Sequence, residues 1–321
     1  MGVTTRDLFG AAAGAASPDS APATPGSYGE PPRGHRLPGA TRLGPVRLQV
    51  ADLGRSLAFY EGVLGFRPVR RGAGEAALAA HDGGDRALVE LVERPGARPM
   101  TARGRLGLYH VAYLLPDRAA LGRFVRHLAE RGVRAGAGDH LVSEAFYLSD
   151  PDGLGVEVYA DRPRAAWRRT GRELLMATDP VDVPGVVRAA GAEPWAGMPA
   201  GTRVGHVHLH VGDLPRAAAF YSDGLGFDRT VWRYPGALFL AAGGYHHHLG
   251  TNTWAGPGAR PPAEDDARLL EWTVEVPAAA DVDAAAAHLD DAGYPVARDG
   301  RDLVARDPWG TAVRVAAAPG A

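Results

Sequence analysis

The sequence contains no cysteine, and this absence removes one class of chemistry. Without a thiol the chain has neither disulfides nor thiolate metal ligands, so any metal that it binds must be held by His, Asp or Glu. The absence of cysteine is compatible with every compartment and favours a reducing one only weakly. We take a cytoplasmic location as the expectation.

Long apolar segments and concentrated positive charge are also missing. No long apolar run follows a basic start, so neither a secretory signal nor a membrane span is expected. The formal net charge is −2 at pH 7 and no large basic patch is present, which argues against a nucleic-acid partner. With 321 residues, 45% of them apolar, the chain is long enough for two domains and a sizeable core.

The sequence repeats itself at an offset of 161 residues, and this repeat decides the fold class. Val-Ala-Asp-Leu at 50–53 returns as Val-Gly-Asp-Leu at 211–214, and the Phe-Tyr pair after it returns with the same spacing. Each copy predicts an alternating strand, a helix that starts after Asp-Leu and stops at glycine, and then further strands. His127-Leu128 and His288-Leu289 mark a second pair of units with the same offset.

We therefore predict an α+β fold of four βαβββ modules. A half-open curved sheet cannot bury its own concave face, so the modules should pair into two half-barrel cups. The modules lie near residues 44–95, 106–161, 204–255 and 268–316.

The modules group into two domains along the chain. The first domain spans residues 44–161 and the second spans 204–316, with a proline-containing linker over 162–203. Residues 1–43 are rich in Ala, Gly, Pro and Ser and lack apolar periodicity, so we predict a disordered leader there.

The most informative stretch runs from Gly138 to Glu157. Asp-Pro-Asp-Gly at 150–153 supplies turn chemistry, and apolar residues alternate with others from 156 to 160. The pattern predicts two short strands joined by a tight turn, with Glu157 in the middle of the second strand.

This stretch resembles the signature of a known group of enzymes. A histidine, a tyrosine seven residues on, Asp-Pro-x-Gly, and a glutamate ten residues after the tyrosine are similar to the pattern of extradiol ring-cleavage dioxygenases. These enzymes belong to the vicinal oxygen chelate superfamily, and the spacing is most like that of the catechol 2,3-dioxygenases. At the level of the fold the resemblance covers nearly all of residues 44–316.

The resemblance implies a reaction and its partners. It implies an enzyme that uses non-heme Fe(II), with Mn(II) as the other metal that fits, to insert O₂ into a small aromatic diol beside the two hydroxyl groups. The edge strands of such cups often meet in dimers, which leaves a homodimer open.

The resemblance also implies a set of metal ligands. In this superfamily the ligands come from the first and last strands of paired modules, and ligand-competent side chains concentrate in modules two and three. His110, Glu157 and His206 would form the facial set of two imidazoles and one carboxylate. Modules two and three must then pair, leaving one and four as a degenerate cup, as Arg314 at an expected acidic position indicates. Sequential pairing would instead offer His206, His248 and Glu271.

Three further residues take catalytic roles by the same resemblance. His140 would hydrogen-bond the bound oxygen and later supply a proton, and Tyr147 would hydrogen-bond a substrate oxygen. His248 would accept the catechol proton, with His247 as the alternative, because the triplet of histidines leaves the register open. His208 and His210 share the strand face of His206 and are expected to support the site rather than to bind metal.

Two alternative functions use the same fold. A glyoxalase-type lyase needs four metal ligands, which His110, Glu157, His206 and His248 would supply. A metal-free binding protein of the bleomycin-resistance kind would hold a ligand in the cup and bind no metal. Four tryptophans are expected in the core or at interfaces rather than as stacking platforms: Trp167, Trp195, Trp232 and Trp254.

Overall fold

The computed structural model describes residues 20–81, 84–101 and 103–318, and the α+β fold predicted from the sequence is confirmed there. Each copy of the 161-residue repeat forms two βαβββ modules. Module one comprises β2 (Arg42–Val50), α1 (Leu53–Gly62), β3 (Arg67–Gly72), β4 (Glu75–Ala79) and β5 (Val89–Glu93). Module two comprises β6 (Gly107–Leu114), α2 (Arg118–Glu130), β7 (Gly136–Asp139), β8 (Ser143–Ser149) and β9 (Gly155–Asp161).

The second half of the chain repeats this order. Module three comprises β12 (Arg203–His210), α4 (Leu214–Ala217), β13 (Asp228–Val231), β14 (Ala237–Ala241) and β15 (Leu249–Asn252). Module four comprises β16 (Arg268–Val276), α5 (Ala279–Asp291), β17 (Val296–Asp299), β18 (Asp302–Arg306) and β19 (Ala312–Ala317). The helix of module three continues beyond α4 as a π-helical segment, Ala218–Gly224.

Aspartates start the helices of the first three modules. Asp52, Asp117 and Asp213 each accept a hydrogen bond from the backbone amide three residues on, at 2.9, 2.7 and 2.8 Å. Such a cap satisfies an amide that the first helical turn leaves free. The Asp-Leu motif of the repeat therefore marks the first turn of a helix in both halves of the chain.

The described strands of the modules form two eight-stranded sheets, and each sheet joins two modules. The first, which we call cup A, has the order β13-β14-β15-β12-β6-β9-β8-β7, and the second, cup B, has the order β17-β18-β19-β16-β2-β5-β4-β3. Modules two and three meet through the antiparallel pair β6 and β12, and modules one and four meet through β2 and β16. The sequential alternative, with modules three and four in one cup, is therefore wrong.

The prediction of a disordered leader is wrong for residues 20–43. The strand β1 (Ala21–Pro22) pairs with β10 (Arg168–Thr170), which pairs with β11 (Glu173–Leu174). The hydroxyl of Tyr28 donates to the carbonyl of Gly244 at 2.6 Å, and Leu37 is buried. A few anchoring side chains outweigh the low-complexity composition around them. Residues 1–19 lie outside the described part of the chain.

The connection between modules two and three is structured. Its helix α3 (Val183–Ala189) packs against α2, where a Cβ at Gly122 would lie 2.2 Å from the carbonyl oxygen of Val186. Residues further upstream reach β7, because Asp139 and Asp179 exchange backbone hydrogen bonds of 2.8 and 2.9 Å. The linker predicted from the sequence is thus also a covering segment for cup A.

None of the helices in the described ranges is long and apolar enough to cross a membrane.

Candidate metal centre

The predicted hairpin is present and places two site residues side by side. β8 and β9 run antiparallel, and the carboxylate of Asp150 accepts the amides of Asp152 and Leu154 at 2.9 and 2.8 Å to close the turn. Tyr147 is the direct partner of Glu157 in this ladder. Cross-strand partners point to the same face, so both side chains lie on the same side of cup A.

Three predicted ligand residues converge on that face. The Nε2 atom of His110 lies 3.0 Å from Oε2 of Glu157, Nε2 of His206 lies 3.3 Å from the same oxygen, and the two nitrogens are 3.3 Å apart. All three side chains are buried. Among the described residues this is the group of His and acidic side chains with the geometry to hold a metal ion.

The donor set fits a divalent cation. Ligands about 2.1 Å from a metal and roughly 90° apart lie ~3.0 Å from one another, close to the separations of these three atoms. In addition, Oε1 of Glu157 is buried and has no hydrogen-bond partner. A buried carboxylate oxygen without a partner is costly, and a bound cation would remove that cost.

The electrostatics of the cluster favour ligands in their metal-binding states. Burial by itself would raise the pKa of Glu157, but His206 and His110 together hold it well below its ordinary value. Burial lowers the pKa of His206 to about 4, against the opposing effect of Glu157. At neutral pH the site therefore presents a carboxylate beside a neutral imidazole, the forms in which these groups bind metals.

His140 and Tyr147 lie together beside the cluster. Nδ1 of His140 is 2.6 Å from the carbonyl oxygen of Ala177, to which it donates. In a neutral ring Nε2 is then the acceptor, and it receives the hydroxyl of Tyr147. Tyr147 also contacts His110, with ring centroids 5.6 Å apart. The covering segment therefore fixes the orientation of His140.

The structure separates His247 from His248. His247 lines the cavity beside the cluster and lies over His206, with ring centroids 4.1 Å apart. His248 points to the opposite side, where its Nδ1 accepts the amide of Ala242 at 3.2 Å. His248, which was predicted to accept the catechol proton, therefore faces away from this cavity, and its alternative His247 lines it.

A chain of hydrogen bonds leads away from His247. Its Nδ1 lies 2.6 Å from Nδ1 of His246, whose Nε2 lies 2.9 Å from Oδ1 of Asp161. The carboxylate only accepts, so Nε2 of a neutral His246 donates to it and Nδ1 of His246 accepts from His247. This order leaves Nε2 of His247 unprotonated and free to accept a proton.

The remaining histidines of β12, His208 and His210, share a hydrogen-bond partner. Asn252 lies between them, with its amide nitrogen 2.9 Å from Nε2 of His208 and its oxygen 2.7 Å from Nδ1 of His210. Both rings contact Tyr109 at 5.1 and 4.8 Å between centroids. His208 lines the cavity, and neither ring is part of the ligand cluster.

A glycine stands in module three where module two has its carboxylate ligand. In the parallel pair of β6 and β9, Ala112 is opposite Glu157, and in that of β12 and β15, His208 is opposite Gly250. His110 and His206 each precede these partners by two residues. A Cβ at Gly250 would lie 2.8 Å from the ring of His208. Module three therefore provides no side chain at the position of a fourth protein ligand, which leaves coordination positions of a metal open to exogenous ligands.

In cup B a cationic side chain occupies the position equivalent to that of Glu157. Thr273 of β16 is opposite Arg314 of β19, so Arg314 corresponds to Glu157. Its guanidinium donates to Glu271 at 2.6 Å and to Asp302 at 3.0 Å. An arginine cannot bind a metal ion, and here it neutralises the carboxylates that would.

A cavity of about 380 Å³ opens beside the cluster in cup A. One aromatic wall includes Tyr109, which a β-bulge brings onto the same face as His110, because His208 pairs with His110 and Leu209 with Leu108. Trp254 also lines the cavity and is 39% exposed, so the expectation of a core or interface role is wrong for it. Trp167, by contrast, is buried as expected.

Sequence reasoning missed several residues of the cavity. Tyr109 reaches the cavity through the β-bulge, and the amino-acid sequence does not indicate a bulge at this position. Met176, Ala177 and Thr178 come from the covering segment, which was predicted only as a linker. The signal that could have found part of this wall is Trp254, which follows the last strand of the ligand-bearing module.

A cup of two βαβββ modules in which two imidazoles and one carboxylate converge beside a cavity defines a class of proteins with the residues to bind a metal ion. The chain belongs to the Glyoxalase/Bleomycin resistance protein/Dioxygenase superfamily, whose family model matches residues 42–158 and 203–315.

Individual relatives give a more specific comparison than the family model. The chain is 45% identical over 271 residues to the catechol-2,3-dioxygenase of Bacillus subtilis (strain 168), covering 84% of this chain and 94% of that protein. A candidate dioxygenase structure from Bacillus subtilis subsp. subtilis str. 168 matches with a TM-score of 0.65 and 15% identity, covering 89% and 87% of the two chains. Glyoxalase I from Zea mays matches with a TM-score of 0.52 and 18% identity, covering 86% and 92%. The two solved structures support the fold alone.

Proposed function

We propose that this protein is an extradiol ring-cleaving dioxygenase that uses Fe(II), or alternatively Mn(II), to insert O₂ into a catechol-type substrate beside the diol. The observation that carries this proposal is a buried cluster of two histidines and one glutamate, without a side chain from module three at the position of a fourth protein ligand, flanked by His140 and Tyr147. The catechol-2,3-dioxygenase relative, 45% identical over most of the chain, supports the same reaction.

The cluster provides the place where substrate and O₂ would meet. His110, Glu157 and His206 would hold the metal. When bound, Fe(II) supplies adjacent open positions at which the two catechol oxygens and O₂ come together. Gly250 keeps the fourth protein position free for them.

Side chains of the cavity would handle the protons. A catechol reacts poorly with O₂ until it is deprotonated. The hydrogen bonds from Asp161 through His246 leave Nε2 of His247 without a proton, and His247 lines the cavity, so this nitrogen would accept the catechol proton. Tyr147 would hydrogen-bond a substrate oxygen, since it is the cross-strand partner of Glu157. His140 would position the oxygen to be inserted and return a proton later in the reaction.

The overall reaction balances without a further reductant. The ring bond next to the diol breaks, both oxygen atoms of O₂ enter the product, and catechol becomes 2-hydroxymuconic semialdehyde. The diol supplies the electrons, so no external cofactor besides the metal is required. The cavity provides binding, orientation and exclusion of bulk water.

The glyoxalase alternative makes a different demand on the site. It would require a fourth protein ligand, and the position where module three would supply one is Gly250, while His248 faces the opposite side. This geometry supports the three-ligand reaction.

The test is a reaction of anaerobically purified protein loaded with Fe(II). On addition of catechol and air we expect a yellow ring-opened product and one O₂ consumed per product. Glu157→Gln should abolish both, whereas Glu271→Gln, the matched change in cup B, should retain them. Absence of product and of O₂ uptake in the iron-loaded protein would contradict the proposal, and so would lactoylglutathione formation with Ni(II) or Zn(II).

A further inference from the structure

The cavity of cup A is larger than a bare catechol requires. A catechol ring occupies roughly 140 Å³ at the packing density of protein interiors. The cavity has a volume of about 380 Å³. A substrate that fills it as ligands usually fill their sites carries additional atoms on the ring.

The wall away from the ligand cluster is aromatic and apolar. Tyr109 and Trp254 meet edge to face with ring centroids 5.7 Å apart, and Tyr234 and Phe239 continue the surface at 5.6 Å between centroids. Met176 of the covering segment also lines the cavity. These side chains suit an apolar group by shape and by desolvation.

Two of these rings are exposed to an unusual degree. Among the described residues, four large hydrophobic side chains are exposed, and Tyr109 and Trp254, both 39% exposed, are two of them. Both lie at the same cavity. Exposed apolar side chains that cluster at a cavity mark a surface that a ligand covers.

The wall is held in place before a substrate arrives. The indole nitrogen of Trp254 donates to the carbonyl of Pro235 at 3.1 Å, and its backbone amide donates to Asn252 at 2.9 Å. The hydroxyls of Tyr234 and Thr178 are 2.9 Å apart and join the covering segment to module three. The preformed surface therefore costs little ordering when an apolar group binds.

Among the described residues, the lining of the cavity offers no guanidinium or ammonium group to an anionic substituent. The described residues that line the cavity include neither Arg nor Lys, and its one carboxylate is Glu157. Arg233, the neighbour of Tyr234, is paired with Glu173. A carboxylate on the substrate would therefore lose its hydration without gaining a partner, and such burial is strongly unfavourable.

We propose that the substrate is a catechol with an uncharged apolar substituent, alkyl or aryl, and that Tyr109 and Trp254 form the surface that selects it. The proposal rests on the dioxygenase function proposed above. It predicts that the protein discriminates between substrates of equal size by their charge, because the apolar wall can contact a carbon chain but contains no partner for a carboxylate.

The test compares catechol, 4-propylcatechol and 3,4-dihydroxyphenylacetate with the Fe(II)-loaded protein. We expect kcat/KM for 4-propylcatechol to exceed that for catechol by about fourfold for each buried methylene. We expect it to exceed that for 3,4-dihydroxyphenylacetate by at least ~100-fold. Anaerobic calorimetry should give the same order of Kd values without turnover. Equal or better binding and cleavage of the carboxylated substrate would overturn the inference and leave the proposed function intact, whereas failure to cleave every catechol would remove the proposed function itself.

Two variants identify the wall as the selecting surface. Trp254→Ala should lower the ratio of kcat/KM for 4-propylcatechol to that for catechol by about tenfold, since it removes a large contact surface. Trp309→Ala, in cup B, is the matched control and should leave the ratio unchanged. Met176→Arg should raise kcat/KM for 3,4-dihydroxyphenylacetate and lower it for 4-propylcatechol. An unchanged ratio in Trp254→Ala would contradict the assignment of the wall.

Discussion

Tyr147 and Glu157 are direct partners in the antiparallel ladder of β8 and β9, so a phenol stands next to the carboxylate of the candidate metal centre. Burial raises the pKa of Tyr147 well above its ordinary value, and the charge of Glu157 adds to this effect. The hydroxyl therefore keeps its proton at neutral pH and acts as a hydrogen-bond donor. The spacing of ten residues between Tyr147 and Glu157 therefore places a hydrogen-bond donor beside the carboxylate of the candidate metal centre.

Replacing Tyr147 by Phe should lower kcat/KM for catechol about tenfold, because one hydrogen bond to a substrate oxygen is lost. Iron content should remain that of the wild type. Tyr113→Phe is the matched control, since the hydroxyl of Tyr113 is buried without a partner and lies in the core. Equal activity of Tyr147→Phe and the wild type in steady-state kinetics would remove the proposed role.

The neighbours His247 and His248 allow a direct comparison of position. His247→Gln should lower kcat by about 100-fold or more, the usual effect of losing a general base. His248→Gln should keep kcat per bound iron within about twofold, because its side chain faces away from the cavity. Stopped-flow and steady-state assays normalised to iron content provide the measurement. The reverse order of the two effects would favour His248 as the base.

Asp161 should influence the reaction through His246 without touching the substrate. In Asp161→Asn an amide can donate to His246, which removes the preference for the order of donors that leaves Nε2 of His247 unprotonated. We expect a loss in kcat of about tenfold or more with unchanged iron content. The anaerobic spectrum of bound 4-nitrocatechol should also shift toward its more protonated form. Asp228→Asn, at a carboxylate paired with Arg36, serves as the control, and an unaltered spectrum in Asp161→Asn would argue against the positioning role.

The stability of the metal-free protein should depend on the protonation of His248. Burial, aided by His246 and Arg203, lowers the pKa of His248 to about 3. In the unfolded chain the pKa of histidine is about 6.5, so protons bind the unfolded state preferentially between these values. The free energy of unfolding should therefore fall as the pH falls through this window.

The variant His248→Gln isolates this effect, because its side chain can still accept the amide of Ala242. Between pH 7 and pH 4 the free energy of unfolding of His248→Gln should fall by about 3 kcal/mol less than that of the wild type. Urea unfolding at several pH values measures the difference. Parallel pH profiles for the two proteins would mean that His248 is not buried in its neutral form.

The sequence was most informative where function follows the register of strands. The internal repeat located the first and last strands of each module, and the resemblance turned those positions into His110, Glu157 and His206, which the structure brings within 3.3 Å of one another. The Asp-Pro-Asp-Gly turn positioned Glu157, because the geometry of a tight turn fixes the register of its strands.

Other parts of the site depend on tertiary contacts that leave no periodic signal. His247 and His248 precede β15, where no alternation indicates which ring faces inward. Tyr109 reaches the cavity through a bulge defined by the partner strand β12. The covering segment reaches the cavity because Asp179 pairs with Asp139 and Thr178 bonds to Tyr234. Local sequence shows only a proline-containing connection there.

The most direct measurement of the central claim is the iron content of purified protein after anaerobic loading and removal of excess metal. We expect one Fe(II) per chain in the wild type and in Glu271→Gln, and less than about a tenth of that in Glu157→Gln and His206→Ala, because the first removes the negative charge of the carboxylate ligand and the second removes an imidazole ligand. Full iron occupancy in Glu157→Gln and His206→Ala, or none in the wild type, would contradict the account.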